Sequence, residues 1–119
     1  MSAASDLALL HAFAEAYNRH DLPALLELVT EDCVFVTALG TRHAGLAELR
    51  EALPGSWRTW PDAQWEDATH VVCGDRGFSE WTLRGSNADG RVELRGVDLF
   101  VLRDGRIARK DTFRKPTQA

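Results

Sequence analysis

The sequence predicts an α+β domain in which helices come first and an antiparallel sheet follows. Apolar residues recur with helical spacing between residues 5 and 29, whereas β-branched and aromatic residues dominate the second half. Three glycine-containing turns divide that second half into successive strands. With 119 residues, 45% apolar and 27% charged, the composition is that of one globular domain with a core. We therefore expect a curved sheet that packs helices on one face.

Composition and charge narrow the classes of partner. The net charge is -4 and no Lys/Arg cluster stands out, so nucleic acid is not an expected partner. No apolar run is long enough for a membrane span, and the start "MSAASDLALL" lacks the features of a signal peptide. A cytoplasmic protein without membrane contact is the resulting expectation. Cys33 and Cys73 form no CxxC pair and are predicted to be reduced core thiols.

Two helices are predicted at the start of the chain. The first runs from Ser5 to Arg19, capped by Ser2 or Ser5. Asp21 is expected to cap the second helix, with Pro23 in its first turn. The apolar stripe of that second helix is formed by Leu22, Leu25, Leu26 and Val29.

The middle of the chain is predicted to hold one strand and one short helix. "CVFVTAL", from Cys33 to Leu39, is rich in β-branched residues and indicates a strand. A helix is expected from Leu46 to Leu53, stopped by Pro54 and the glycine after it. The following "SWRTWPD" is predicted to be a loop.

Four antiparallel strands are predicted for the remainder. They are separated by turns at Gly74–Gly77, Asn87–Gly90 and Asp104–Gly105. The complete order is therefore α-α-β-α-ββββ. Within "FSEWTL", the alternation places either Glu80 or Trp81 on the inner face and leaves the choice open.

The last hairpin, "GVDLFVLRDGRIARKDTFRK", carries ionisable residues along its length. A three-residue loop with Gly105 in the left-handed conformation would place Asp98 opposite Lys110, whereas a two-residue loop would place Asp98 opposite Asp111. Like charges directly opposite one another are unfavourable, so we expect the three-residue loop, with Arg109 and Asp111 facing outward. The shared inner face would then hold Asp98, Phe100, Leu102, Ala108, Lys110 and Thr112, with Arg114 as a further candidate.

The element order, "YNRHDLPALLELVTEDCVFV" and the closing hairpin together resemble the SnoaL-like branch of the nuclear transport factor 2-like superfamily. The likeness covers nearly the whole chain, as a single domain over residues 1–119. It implies a cone, in which a strongly bent sheet wraps helices and an apolar small-molecule pocket opens at the wide end. It also implies a homodimer through the outer sheet face, where the apolar residues are Val97, Leu99, Val101 and Phe113.

The resemblance to ketosteroid isomerase, a member of this superfamily, implies roles for individual residues. Its oxyanion-hole aspartic acid falls on Asp98, and the position of its general base falls on Thr37. Its oxyanion-hole tyrosine falls on Phe13, with Tyr17 one helical turn further along the same face. The implied chemistry is proton transfer next to a carbonyl, in isomerisation, cyclisation or dehydration, without metal or organic cofactor. Because the superfamily also contains non-catalytic binding modules, a ligand-binding or dimerisation module is the alternative.

Charged and polar residues near Asp98 admit two interpretations. Asp98 and Lys110 could form a catalytic pair or a purely structural ion pair, and both hypotheses stay open. Thr112 joins them on the predicted inner face. His43 is either a proton shuttle at the pocket rim or an exposed loop histidine. No histidine has metal-ligand spacing with another His, Cys or carboxylate, so no metal site is expected.

Aromatic residues are the remaining candidates for ligand contact. Trp57 and Trp60 lie in a segment that could cover the pocket as a lid, although core filling is the more common role of tryptophan. The predicted catalytic residues are Asp98 and Lys110. The predicted substrate-binding residues are Phe13, Tyr17, Thr37, His43, Trp57, Trp60, Trp81, Phe100 and Thr112.

Overall fold

The computed structural model describes residues 2–116, which form four helices and one six-stranded sheet. The helices are α1 (Ala3–Asn18), α2 (Leu22–Glu27), α3 (Leu46–Ala52) and α4 (Pro54–Thr59). The strands are β1 (Val29–Val36), β2 (Arg42–Ala44), β3 (Gln64–Cys73), β4 (Arg76–Asn87), β5 (Gly90–Arg103) and β6 (Arg106–Arg114). Their order in the sheet is β2-β1-β6-β5-β4-β3, antiparallel except for the β1–β6 pair. The predicted α+β cone is confirmed.

Both N-terminal helices begin where side chains can cap them. The Ser2 hydroxyl accepts a hydrogen bond from the Ser5 N–H at 3.1 Å, and Asp21 accepts one from the Ala24 N–H at 3.1 Å. Leu10 and Phe13 lie on the buried face of α1, which packs against β3 and β4. We call the side of the sheet that faces α1 its inner face.

Three local predictions in the first half of the chain are wrong. The first strand starts at Val29, a residue assigned to the stripe of the second helix, and ends at Val36 rather than Leu39. Residues 42–44 form an additional strand, β2, that pairs with β1. The segment predicted as a loop contains α4, because Pro54 is compatible with a first helical turn and Trp57 gains burial there, at 9% exposure.

The register of the last hairpin also differs from the prediction. Asp104 and Gly105 have φ of 52° and 77° and form a two-residue turn, and the register then shifts between Val101 and Leu102. Asp98 therefore lies opposite Thr112, while Lys110 lies opposite Phe100. The pairing differs from the expected one by two positions, so side chains keep their faces. Asp98, Lys110 and Thr112 accordingly share the inner face, as expected.

The bulge changes one member of the predicted inner face. Ile107, which is paired with Leu102 and fully buried, takes the place on the inner face that was expected for Ala108. On β4, Trp81 rather than Glu80 lies on the inner face, and it is 5% exposed. Glu80 faces outward and pairs with Arg95 at 2.9 Å.

The two cysteines occupy different environments. Cys33 is buried on β1, and burial together with neighbouring Asp32 raises the pKa of its thiol to about 12. Cys73 is exposed at the end of β3, so the prediction of a core thiol is wrong there. Within residues 2–116, no helix is both long and apolar enough to cross a bilayer.

Candidate ligand-binding cavity

A cavity of about 210 Å³ lies between the inner face of the sheet and helices α3 and α4. Its walls are mostly apolar, formed chiefly by Phe35, Leu49, Trp60, Trp65, Trp81 and Leu83. Polar groups reach it from β6, from the β1–β2 segment and from the helices; these are Lys110, Thr112, Arg114, Thr37, His43, Tyr17 and Ser56. An apolar space with a few convergent polar groups is typical of a small-molecule site.

A connected polar network lies on the sheet side of the cavity. Lys110 Nζ donates to Thr112 Oγ1 at 2.9 Å, and Thr112 Oγ1 donates to Asp98 Oδ1 at 2.6 Å. The ammonium also lies 3.5 Å from the same carboxylate oxygen. Oδ2 of Asp98 accepts from the Trp81 indole N–H at 2.9 Å. Both carboxylate oxygens thus accept hydrogen bonds, as those of an ionised carboxylate do.

Asp98 is the most enclosed member of this network. Its side chain is 0% exposed and contributes nothing to the cavity wall, whereas the Lys110 side chain is 13% exposed and forms part of the wall. Thr112 and Trp81 stand between the carboxylate and the cavity space, since both line it. The groups that a ligand would touch are therefore the ammonium and the threonine hydroxyl.

Aromatic rings hold the Lys110 ammonium in position. Nζ lies 5.1 Å from the centre of the Phe35 ring and 5.7 Å from that of Trp65. Aromatic faces attract cations at this range. The carboxylate and the two rings thus surround the ammonium of a residue that lines the cavity.

On the helical side of the cavity, Tyr17 contributes a phenolic hydroxyl group. Its ring stacks on Trp65 with a centroid distance of 3.9 Å, and its hydroxyl is hydrogen-bonded to Ser56 on α4. Burial raises the pKa of Tyr17, the Ser56 hydrogen bond opposes that shift, and the charge of Asp98 adds to it. The phenol is therefore a neutral hydrogen-bonding group at ordinary pH.

The structure brings most of the predicted site residues together but places some behind the wall. The cavity is lined by Tyr17, Thr37, His43, Trp60, Trp81, Lys110 and Thr112. Asp98, Phe13, Trp57 and Phe100 do not line it. Phe13 contacts the rings of Phe35 and Phe100 in the core beneath, and Trp57 packs on Tyr17 and His20.

Several cavity residues were not singled out from the sequence. Trp65 and Phe35 alternate with polar or smaller neighbours on their strands, a pattern that suggests burial but not which side of the sheet is covered. Ser56 lies in the segment expected to be a loop. In β3, a register shift between Glu66 and Thr69 interrupts the two-residue period, so inward positions cannot be counted along the strand. Within residues 2–116, no cluster of three metal-ligating side chains occurs.

Comparison with known proteins assigns the family. A family model described as the SnoaL-like domain matches residues 10–110. The chain belongs to the SnoaL-like domain family. A search of curated proteins found no match to this SnoaL-like protein.

Solved structures with the same fold are numerous. A proposed polyketide cyclase from Xanthomonas campestris pv. campestris is 26% identical, with a TM-score of 0.88 over 95% of this chain and 92% of the other. A second proposed polyketide cyclase, from Pseudomonas putida KT2440, is 24% identical with a TM-score of 0.85, covering 92% and 91%. TerC, co-crystallised with polyporic acid, is 18% identical with a TM-score of 0.82, covering 93% and 92%. The last two establish the shared fold only.

Proposed function

We propose that this SnoaL-like protein binds a compact, largely apolar carbonyl compound and catalyses proton transfer at the carbon next to the carbonyl. Isomerisation, cyclisation and dehydration all contain such a step. The proposal depends on one observation: a hydrogen-bonded ammonium, hydroxyl and carboxylate, in that order, extend from an apolar cavity into the core.

Lys110 is the group proposed to bind the carbonyl oxygen. An ammonium has three donors, and Thr112 and Asp98 occupy at most two of them. A donor directed into the cavity would stabilise negative charge as it develops on an enolate oxygen. Because the surrounding walls are apolar, that interaction would be stronger than in water.

Thr112 and Asp98 are proposed to move the proton. The Thr112 oxygen would take the proton from the substrate carbon while its own hydroxyl proton passes to Asp98 Oδ1, 2.6 Å away. The substrate becomes an enolate and the carboxylate becomes a carboxylic acid, so charge and protons balance. The reverse transfer, to a different carbon, would complete an isomerisation. Asp98 would act through Thr112 rather than by touching the substrate.

The similarity to known structures supports a small organic ligand. The 26%-identical relative is a proposed polyketide cyclase, and TerC, which has the same fold, was co-crystallised with polyporic acid. Neither identifies the compound for this chain. The apolar walls and the two flat tryptophan rings, Trp65 and Trp81, suit a planar ring system.

A non-catalytic ligand-binding module is the second candidate. The observation in its favour is that both oxygens of Asp98 already have partners and neither faces the cavity. A carboxylate so occupied could simply neutralise Lys110 and fix its position. Under this alternative the ligand binds and leaves unchanged.

Hydrogen–deuterium exchange distinguishes the two candidates. Flat aromatic ketones such as indanone would be incubated with the protein in D₂O, and loss of the proton signal next to the carbonyl would be followed by NMR. We expect exchange above the buffer rate, reduced about 100-fold in Lys110→Met. Thr112→Val should also slow exchange without preventing binding.

Lys115→Met is the matched control. Lys115 is exposed beyond the end of β6, and the two substitutions change net charge equally. Binding that shifts the melting temperature, combined with no exchange in the wild-type protein, would support the binding module. Ketones that neither bind nor exchange would refute both candidates.

Homodimerisation through the outer sheet face is also part of the proposal. Val71, Phe78, Leu99 and Phe113 are 51%, 40%, 36% and 52% exposed, and Phe78 lies directly opposite Leu99. A contiguous apolar surface of this kind favours association. Sedimentation should detect a dimer that Phe113→Glu weakens, and a monomer at micromolar wild-type concentration would exclude this arrangement.

A further inference from the structure

Arg114, at the end of β6, differs from the other arginines in its surroundings. Among residues 2–116, only Arg84 and Arg114 are arginines with a partly buried surface. Arg84 lies within 4.0 Å of three carboxylates, those of Glu66, Asp67 and Glu93. Within the same described range, no carboxylate lies within 4.0 Å of Arg114. Within residues 2–116, Arg114 is thus a partly buried arginine with no acidic partner, and its guanidinium can bind an anion that a ligand supplies.

The position of Arg114 connects it with the cavity. Lys110, Thr112 and Arg114 alternate along β6 on its inner face, and all three line the cavity. Arg114 is the last residue of β6 and also borders a hollow on the outer face beside Val97. Four residues of extended strand separate the Cα atoms of Lys110 and Arg114 by about 13 Å.

The charges around the cavity are unbalanced. Within residues 2–116, no aspartate or glutamate lines the cavity, whereas Lys110 and Arg114 both line it. Asp98, behind the wall, is 3.5 Å from Lys110 and neutralises that ammonium. The charge of Arg114 is left without a counterpart in the lining.

We infer that the ligand carries a carboxylate, which Arg114 binds while the Lys110 ammonium donates to the carbonyl oxygen at the other end of the molecule. The substrate class is thus a planar keto acid whose two oxygen-bearing ends are separated by an apolar ring. Guanidinium and carboxylate can form two parallel hydrogen bonds, which orient the ligand as well as hold it. This inference rests on the proposed function, since it assumes that the cavity accepts a carbonyl compound.

Two ketones of the same shape test the inference. Para-acetylbenzoate carries a carboxylate opposite its carbonyl, and para-methylacetophenone replaces that carboxylate with a methyl group. Dissociation constants would be measured by calorimetry at low and high salt. The wild-type protein should bind the acid about tenfold more tightly, and salt should reduce the preference.

Substitution of Arg114 tests whether this residue causes the preference for the acid over the neutral ketone. Arg114→Gln should remove the advantage of the acid while changing the affinity for the neutral ketone by less than about twofold. Arg109→Gln is the matched control, because Arg109 lies on the outer face of the same strand and the change in net charge is equal. Arg109→Gln should leave the dissociation constants of both ketones unchanged.

Contrary results have separate meanings. Equal affinity of the wild-type protein for the two ketones, or a preference that survives in Arg114→Gln, would overturn the anion site but leave the proposed function intact. If neither ketone binds, the proposed function fails and the inference fails with it.

Discussion

The indole N–H of Trp81 donates a 2.9 Å hydrogen bond to Oδ2 of Asp98, although the two residues are not directly opposite each other on their strands. Trp81 lies opposite Gly96, and a Cβ atom on Gly96 would come within 2.5 Å of the indole ring. The missing side chain therefore allows the ring to cross β5 and reach the carboxylate.

Gly96→Ala should displace Trp81 from this position. The added methyl group would also approach the Phe113 carbonyl oxygen at 2.7 Å, so backbone as well as side chain would have to move. We expect a loss of about 1–3 kcal/mol in unfolding free energy and a change in the near-UV circular dichroism. Gly77→Ala is the comparison, because its closest contact is the flexible end of Leu10, and it should cost less. Equal cost for the two variants would contradict the explanation.

Asp98→Asn should destabilise the protein strongly. The substitution leaves the Lys110 ammonium, 13% exposed, without its buried counter-charge, at a cost of about 3–5 kcal/mol. Denaturant unfolding would measure this loss. Adding Lys110→Met should recover part of it, because the uncompensated charge is removed. A double variant no more stable than Asp98→Asn would indicate that the ion pair is not the reason.

His70 should make stability depend on pH just below neutrality. Burial, and then the nearby His11 ring, lower the pKa of His70 below its ordinary value of 6.5, against a smaller opposing effect of Asp98. The unfolded chain therefore binds the proton first as pH falls. The contribution of His70 to the free energy of unfolding is complete above pH 6.5 and is lost progressively below it. The Ser79 hydroxyl is hydrogen-bonded to Nδ1 of His70 at 2.6 Å.

Thermal unfolding between pH 7.5 and 5 would test this dependence. His70→Asn should flatten the decline of the melting temperature, and His11→Gln should flatten it in part. If the decline of the melting temperature is unchanged in His70→Asn, the partly buried His70 imidazole is not its source.

The two thiols should differ in reactivity. Cys33 is buried with a thiol pKa of about 12, so little thiolate forms at neutral pH, whereas Cys73 is exposed. A thiol reagent such as Ellman's reagent should label one cysteine in the native protein and both in denaturant. Cys73→Ser should abolish native labelling, and labelling that persisted would place Cys33 within reach of solvent.

Periodicity in the sequence determined the elements whose pattern is local. Helical spacing predicted α1 and the start of α2, and three turns predicted where the four long strands are divided. The sharing of one face by Asp98, Lys110 and Thr112 was also predictable. A register error of two positions preserves the face of every side chain, so the prediction survived a wrong loop type.

Other features depended on contacts between distant parts of the chain. Helix α4 forms because Trp57 is buried against Tyr17. The turn-forming residues around Pro54 do not predict this burial. Trp81 rather than Glu80 faces inward because Gly96, on the next strand, leaves room for its ring.

The sequence alone thus determined the α+β fold and the shared face of Asp98, Lys110 and Thr112, since both follow from patterns along single elements. The tertiary structure decided that Asp98 lies behind the cavity wall, that Lys110 and Thr112 form part of it, and that Arg114 lacks a carboxylate neighbour within residues 2–116. The physical reason is that shielding and ion pairing depend on which side chains from other elements occupy the same space, and strand periodicity does not contain that information.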